Sequence, residues 1–413
     1  METSNKKMVS HLTDIPDHLL AEIFLRLPDP ADVARASAAC VPFRRISTDR
    51  SFLRRLHAPP LLAFLNPDGF HPALPPHPSA PAARALALAA DFSFSFLPSH
   101  ATGECRTSAA ASSSSIALPE LEEEMPNFTE LVVCDPLHRR YILLPPVPNH
   151  LVPSMEHPDP TLPELWCVPL LVPLSEEAAA AATATEEEAS FRVIWLAHYE
   201  TMITASVFSS STGQWIAAAS KGWSDLGITS DQYFMASQIS PCFIRRSYAY
   251  GCFYWYLMIS TKKMLMLDTR TMEFSVVVDL PPGKWSKEGI AIVEAGEGRL
   301  GMFGFRSETT SDLSYTIALN KGESPSQWQM EKTISLDSRY KYYIKAATNT
   351  YLLLIRTAAL PRPSLGYTQY EYFSMDVKTL QLQRVCVKQC QPMMLGTHIY
   401  TNFPLSLLSS PAI

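Results

Sequence analysis

The residues whose types could do chemistry are scattered along the chain. Cys386 and Cys390 form a C-x-x-x-C in a strand-like run. Residues four apart on a strand share a face, so a common core face suits them better than redox work. The stretch PGKWSKEG (282–289) contains Gly-Lys but lacks the earlier glycine that a phosphate-wrapping loop needs. The 11 histidines fall mainly in Pro-rich loops, as at His71, His77, His150 and His157, without the spacing of a metal site. There is no G-x-S-x-G nucleophile elbow, no H-E-x-x-H and no G-x-x-x-x-G-K-[ST]. The reading is a non-catalytic chain with no metal or other cofactor. The chemistry on offer is recognition. Tyr340, Tyr342 and Tyr343 are interleaved with Arg339, Lys341 and Lys345, and rings beside cations suit a binding surface. Trp223 and Tyr233 lie in the loop-like SKGWSDLGITSDQYF and are further candidates to face a target.

The elements that must carry these groups begin with a helical run. Asp14 can cap a first helix, with Ile15 and Pro16 leading into it. Leu19, Leu20, Ile23, Phe24 and Leu27 then make one wide apolar stripe, and Pro28 stops it. Asp29-Pro30 repeats the device before Val33, Ala36, Ser37 and Cys40. Pro42 opens a third short helix, with Phe43 and Ile46 inward and Arg44 and Arg45 outward. Asp49 precedes a last turn with Phe52, Leu53 and Leu56. A unit this small buries little surface of its own. Leaving large side chains wet forgoes roughly 1.5–3 kcal/mol each. The stripe therefore asks for a partner, either outside the chain or in its own C-terminal domain. Arg44, Arg45, Arg50, Arg54 and Arg55 form a basic cluster that reads as a solvated face or as a complement to an acidic partner.

The segment resembles an F-box. Ile15-Pro16 match the leading apolar-Pro pair of that family. Leu19, Leu20, Ile23, Phe24, Leu27 and Pro28 match its L-L-x-x-I-apolar-x-x-L-P run. Cys40, Phe43, Arg44 and Ile46 match a later Cys-x-x-aromatic-Arg-x-apolar, and Asp49 and Phe52 its tail. Phe43 stands where Trp is commoner. The resemblance implies docking onto a Skp-type adaptor and, through it, a cullin. By that analogy Ile15, Pro16, Leu19, Leu20, Ile23, Val33 and Phe43 are the adaptor contacts, some of them shared with the internal core.

The composition sets the frame for the rest. The chain has 413 residues, 47% hydrophobic and 18% charged, enough for two or three globular domains. Gly is scarce (15) and Pro abundant (34), which favours rigid turns over glycine-lined loops. The net charge of −6 is uneven: residues 101–190 hold 15 acids against 3 basic groups. No long basic face emerges, so nucleic acid is not an expected partner. The eight cysteines are dispersed, the opening METSNKKMVS is polar, and no run of 18 apolar residues exists. The expectation is reduced thiols, no membrane span, and a cytoplasmic or nuclear setting.

After Ala58-Pro59-Pro60 the pattern turns to strands. LLAFL (61–65) and DFSFSFL (91–97) read as two of them, the second with alternating Phe92, Phe94 and Phe96. A theme of strand, polar corner and return strand then recurs. Aligning Asp135, Ser209, Asp268, Asn320 and Asp376 gives intervals of 74, 59, 52 and 56 residues. Asp, Asn and Ser suit such corners because their side chains bond the backbone of the turn. Units of this length with four strands each predict a propeller-like array, with a β-sandwich as the rival. The consecutive aromatics 253–256 fit strands covered on both faces. VCDPLHRRYILLPP (133–146) also resembles an early-blade element of plant F-box proteins with an F-box-associated C-terminal domain. The expected organisation is an N terminus at 1–11, a helical domain at 12–57, and a propeller-like domain at 58–413. Low-complexity loops are expected at 101–126 and 174–190. The fold class is thus α+β multidomain, a small all-α F-box before an all-β domain. The implied function is a substrate-recognition subunit of an SCF-type ubiquitin ligase. The alternatives are a non-ligase F-box scaffold and a small-molecule or glycan receptor.

Overall fold

The computed structural model describes residues 15–25, 35–36, 39–48, 60–66, 68–97, 103–108, 115–119, 131–148, 151, 166–172, 191–199, 201–229, 246–256, 264–277, 280–281, 285–286, 289–306, 311–319, 328–358, 368–390 and 397–401. They fall into two compact units, Met1–Pro60 and Leu61–Ile413.

The first unit contributes α1 (Asp17–Leu25) and α2 (Val41–Thr48). The second opens with β1 (Leu61–Asn66), β2 (Gly69–Pro72) and α3 (Ala80–Ala89). Five four-stranded antiparallel sheets follow in chain order. The first holds β3 (Gly103–Ser108), β4 (Ser115–Pro119), β5 (Leu131–Asp135) and β6 (Arg140–Leu144). The second holds β7 (Trp166–Leu171), β8 (Arg192–His198), β9 (Met202–Ser209) and β10 (Gln214–Gly222). The third holds β11 (Arg246–Ala249), β12 (Cys252–Tyr256), β13 (Met264–Asp268) and β14 (Glu273–Val277). The fourth holds β15 (Ile290–Glu294), β16 (Leu300–Phe305), β17 (Asp312–Ala318) and β18 (Trp328–Ser335). The fifth holds β19 (Tyr340–Ala347), β20 (Tyr351–Ala358), β21 (Thr368–Asp376) and β22 (Leu382–Cys390). The last strand, β23 (His398–Thr401), pairs with β1, so a three-stranded sheet β2-β1-β23 joins the two ends of the unit.

The polar corners are the same hairpin, third strand to fourth, in successive sheets. Asp135 Oδ1 accepts the N–H groups of Leu137 and His138 at 3.1 and 3.2 Å. Asp268 Oδ1 takes those of Arg270 and Thr271 at 2.7 and 3.2 Å, and Asp376 Oδ1 those of Lys378 and Thr379 at 2.9 and 2.7 Å. Four residues after each corner the chain enters the left-handed region, at Arg139, Gly213, Met272 and Leu380. The side-chain acceptor stabilises the turn, and the left-handed residue re-aims the chain for the return strand. Asn320 lies outside the described residues.

Apolar clusters fill each gap between successive sheets. Leu131 and Val133 of the first meet Val193, Trp195 and Phe208 of the second. Leu196 and Ile203 of the second meet Phe253, Trp255 and Leu267 of the third. Tyr254 and Met264 of the third meet Ile292 and Met302 of the fourth. Phe303 and Phe305 of the fourth meet Leu354 and Met375 of the fifth. Leu61–Leu65 and Tyr400 of the closing sheet meet Leu353, Tyr372 and Val385 of the fifth. Each interior sheet is therefore covered on both faces, as a propeller-like array requires and a two-sheet sandwich does not. Phe253, Tyr254 and Trp255 are buried because alternate residues enter different gaps.

Two local expectations are corrected. Residues 91–97 form turns, not a strand. Asp91 accepts the N–H and Oγ–H of Ser93 and the Oγ–H of Ser95, and these local bonds outcompete a ladder. Conversely, the expected loop at 101–126 contains β3 and β4, where Ser115–Ala117 pair with Val132–Cys134 of β5. The strong β5 template supplies backbone partners that the Ser/Ala-rich composition did not announce. The expected loop at 174–190 lies outside the described residues.

Candidate functional site

In the first unit, α1 sorts its apolar stripe by helical phase. Leu20 and Phe24, four apart, point inward and are 3% and 4% exposed. With Ile46 of α2 they form a small core, against which Ile15, Ala21, Ala36 and Phe43 pack. Phe24 and Phe43 meet edge to face with ring centroids 5.1 Å apart. Leu19 and Ile23, also four apart but one residue earlier in phase, stay 47% and 48% exposed. Pro16 is exposed, and its carbonyl accepts the N–H groups of Leu19 and Leu20 at 3.0 and 3.1 Å. Arg45 of α2 pairs with Asp17 in the first turn of α1. That acidic residue suits a helix N terminus, and the pair ties the two helices together.

The sequence-derived contact set therefore divides. Pro16, Leu19 and Ile23 present apolar surface to solvent, while Ile15 and Phe43 are half-buried. Leu20 is corrected to the internal core, because its phase on α1 aims it at Ile46. Val33 lies outside the described residues. Val41, 78% exposed at the start of α2, was not singled out by sequence. A valine before Pro42 carries no motif signal; only the end of α2 leaves it bare.

A family model described as F-box-like matches residues 12–58. The N-terminal unit carries an F-box-like domain. No curated protein matches the chain. Among solved structures it is similar to the N-terminal domain of Nup159, at 8% identity and a TM-score of 0.27, over 71% of this chain and 66% of that one. It is similar to a prolyl endopeptidase at 11% and 0.31, over 75% and 52%. It is also similar to the WD40 domain of SCAP from fission yeast at 9% and 0.26, over 72% and 73%. The chain thus spans less than two thirds of the first two, and at such scores none of the three carries an argument about function.

Beyond the F-box-like domain, the aromatic candidates for target contact separate by burial. Trp223 is 2% exposed in the gap between the second and third sheets. Its Nε1–H donates to the Tyr199 carbonyl at 2.7 Å. Tyr342 is 7% exposed in the gap between the fourth and fifth. Both are core residues, a correction: Trp223 sits in a tight turn closing over the sheet, and Tyr342 is the inward phase of β19. Tyr233 lies outside the described residues. Tyr340 is half-buried and belongs to a cluster that sequence reasoning missed. The Arg356 guanidinium lies 4.1 Å from the Tyr340 ring centroid and 4.6 Å from that of Phe373. It also bonds Glu371 through Nε and Nη2 at 3.1–3.2 Å. Arg356 and Glu371 face each other in register on β20 and β21, which only strand pairing reveals. Beside them, exposed Arg339 grips Asp337 through Nε and Nη2 and holds that carboxyl down to about 2. The arrangement is a cation held between two rings and paired with a carboxylate.

Among the described residues no group of three or more His, Cys, Asp or Glu could hold a metal ion. No described helix is long and apolar enough to cross a membrane.

Proposed function

We propose that this chain is the substrate-recognition subunit of an SCF-type cullin ubiquitin ligase. Its F-box-like domain would dock a Skp-type adaptor, and its propeller-like domain would hold the target. The observation that carries this reading is the split of the α1 stripe. Leu20 and Phe24 hold the helices together, which leaves Leu19, Ile23 and Pro16 as an apolar face for another protein. Pro16, Leu19 and Ile23 would be the core of the docking surface, with Phe43 and Ile15 at its edge. Such a subunit makes no bond itself; it raises the effective concentration of a target lysine beside a charged ubiquitin carrier.

For the target end, the Tyr340–Arg356–Arg339 cluster supports a binding role at the start of the fifth sheet. Pull-down of a Skp-type adaptor and cullin with the intact chain tests the reading. Leu19→Asp with Ile23→Asp is expected to abolish recovery of both, and equal recovery by wild type and variant would refute adaptor docking through this face. Recovery of the adaptor without a cullin would instead indicate a non-ligase scaffold.

A further inference from the structure

We propose that His71 and His77 form an acid-labile clasp holding the closing sheet onto the fifth four-stranded sheet. Both come from the short stretch after β1, and both reach residues about 300 positions away across one seam. Lys388 Nζ of β22 lies 2.8 Å from His71 Nε2 and 3.4 Å from Asp68 Oδ2 in the β1–β2 turn. The Lys388 ammonium beside the ring opposes a second positive charge there and so favours a neutral His71. Asn66 Oδ1 lies 2.7 Å from the same nitrogen, so Nε2 sits between an amide oxygen and the Lys388 ammonium. The His71 ring packs on Phe64, which stacks on Tyr372 of β21 at 4.4 Å.

His77 is fixed from both sides. Its Nδ1 accepts the Ser79 N–H at 3.2 Å, so Nε2 carries the proton. That N–H donates to Ser374 Oγ of β21 at 3.0 Å, and Ser374 in turn faces the Gln383 carbonyl at 3.5 Å. With Nε2 already protonated the imidazole cannot take the serine proton, so this His–Ser pair is a structural pin and not a nucleophile with its base. Between the histidines, Leu74 N–H donates to the Val385 carbonyl at 2.8 Å.

A second proton on either ring sets donor against donor: N–H against Ser79 N–H at His77, and cation against Lys388 at His71. The charged groups facing His71 are Lys388 and Asp68. Burial and Lys388 push its pKa down to about 4, against the weaker opposing pull of Asp68. Burial alone lowers that of His77. An opened clasp would return both to ordinary histidine values near pH 6.5. Stability from the clasp is therefore full above about pH 6.5 and falls as pH drops, down to about pH 4 for His71. Each histidine multiplies the open-to-closed ratio by up to about tenfold per pH unit in that window. Because β1 begins directly after the unit boundary at Pro60, the clasp secures the strand that leads from the F-box-like unit.

Hydrogen–deuterium exchange of the full chain, corrected for intrinsic rates, tests the idea. Between about pH 7.5 and about pH 5.5, peptides covering β1, β2 and β23 should lose protection by about tenfold or more. Those covering β12 and β13 should not, and His71→Gln with His77→Gln should flatten the response. Uniform loss, no loss, or an unchanged response in the variant would overturn the clasp. Should the variant fail to fold, histidine C2-hydrogen exchange on the wild-type chain decides. Depressed titration of His71 and His77 supports the clasp; titration of both near pH 6.5 overturns it.

Discussion

Truncating the outer face of α1 should weaken adaptor docking without unfolding the helices. Leu19 and Ile23 are 47% and 48% exposed, so about half of each side chain remains to be buried by a partner. Full burial of such a side chain is worth roughly 1.5–3 kcal/mol, and half of that for two residues gives about 1.5–3 kcal/mol in total. Leu19→Ala with Ile23→Ala should therefore raise the adaptor Kd by about 10- to 150-fold. The inner-face comparator is Leu20→Ala, which opens a cavity beside Phe24 and Ile46 at a cost of about 2–5 kcal/mol. In so small a unit that loss should unfold the helices, so Leu20→Ala should lose the complex altogether rather than weaken it. Titration calorimetry of the full chain with purified adaptor measures the first effect, with amide-exchange protection of α1 and α2 as the folding control. A double variant that binds within twofold of wild type would refute the division of α1 into inner and outer faces.

Other perturbations probe the second unit. Trp223→Ala should destabilise it by about 3–5 kcal/mol in a denaturant melt, because the ring fills a core gap; unchanged stability would return Trp223 to the surface. Gly289 has φ +142, and an added Cβ would meet Ile344 Cβ and its carbonyl oxygen at 2.8 Å. Gly289→Ala should cost about 2–4 kcal/mol through strain and overpacking, well beyond the same change at open Gly296. Asp268→Ala strips two turn N–H groups of their acceptor and should cost about 1–2 kcal/mol by chemical denaturation, with Asp268→Asn recovering most of it.

The sequence determined what short-range chemistry controls. Prolines and a 3.6-residue apolar phase announced α1 and α2 of the F-box-like domain. Corner residues at Asp135, Ser209, Asp268 and Asp376 marked the repeat, because an Asx-type turn needs its acceptor at one fixed place. Those spacings by themselves point to a propeller-like array. Local pattern failed where a residue's environment comes from afar. Phe92, Phe94 and Phe96 alternate like a strand, yet Asp91 folds them into turns. Ser115–Ala117 look like loop until β5 lends them a ladder. Leu19 and Leu20 are neighbours of equal hydrophobicity, and only the position of α2 decides which faces out. Trp223 and Tyr342 resembled recognition residues until packed sheets enclosed them. Arg356 and Glu371 have no pattern at all; they meet because β20 and β21 pair in one register. The closing sheet and its histidines join residues about 300 apart, and no local signal encodes a contact that exists only once the ring of sheets has closed.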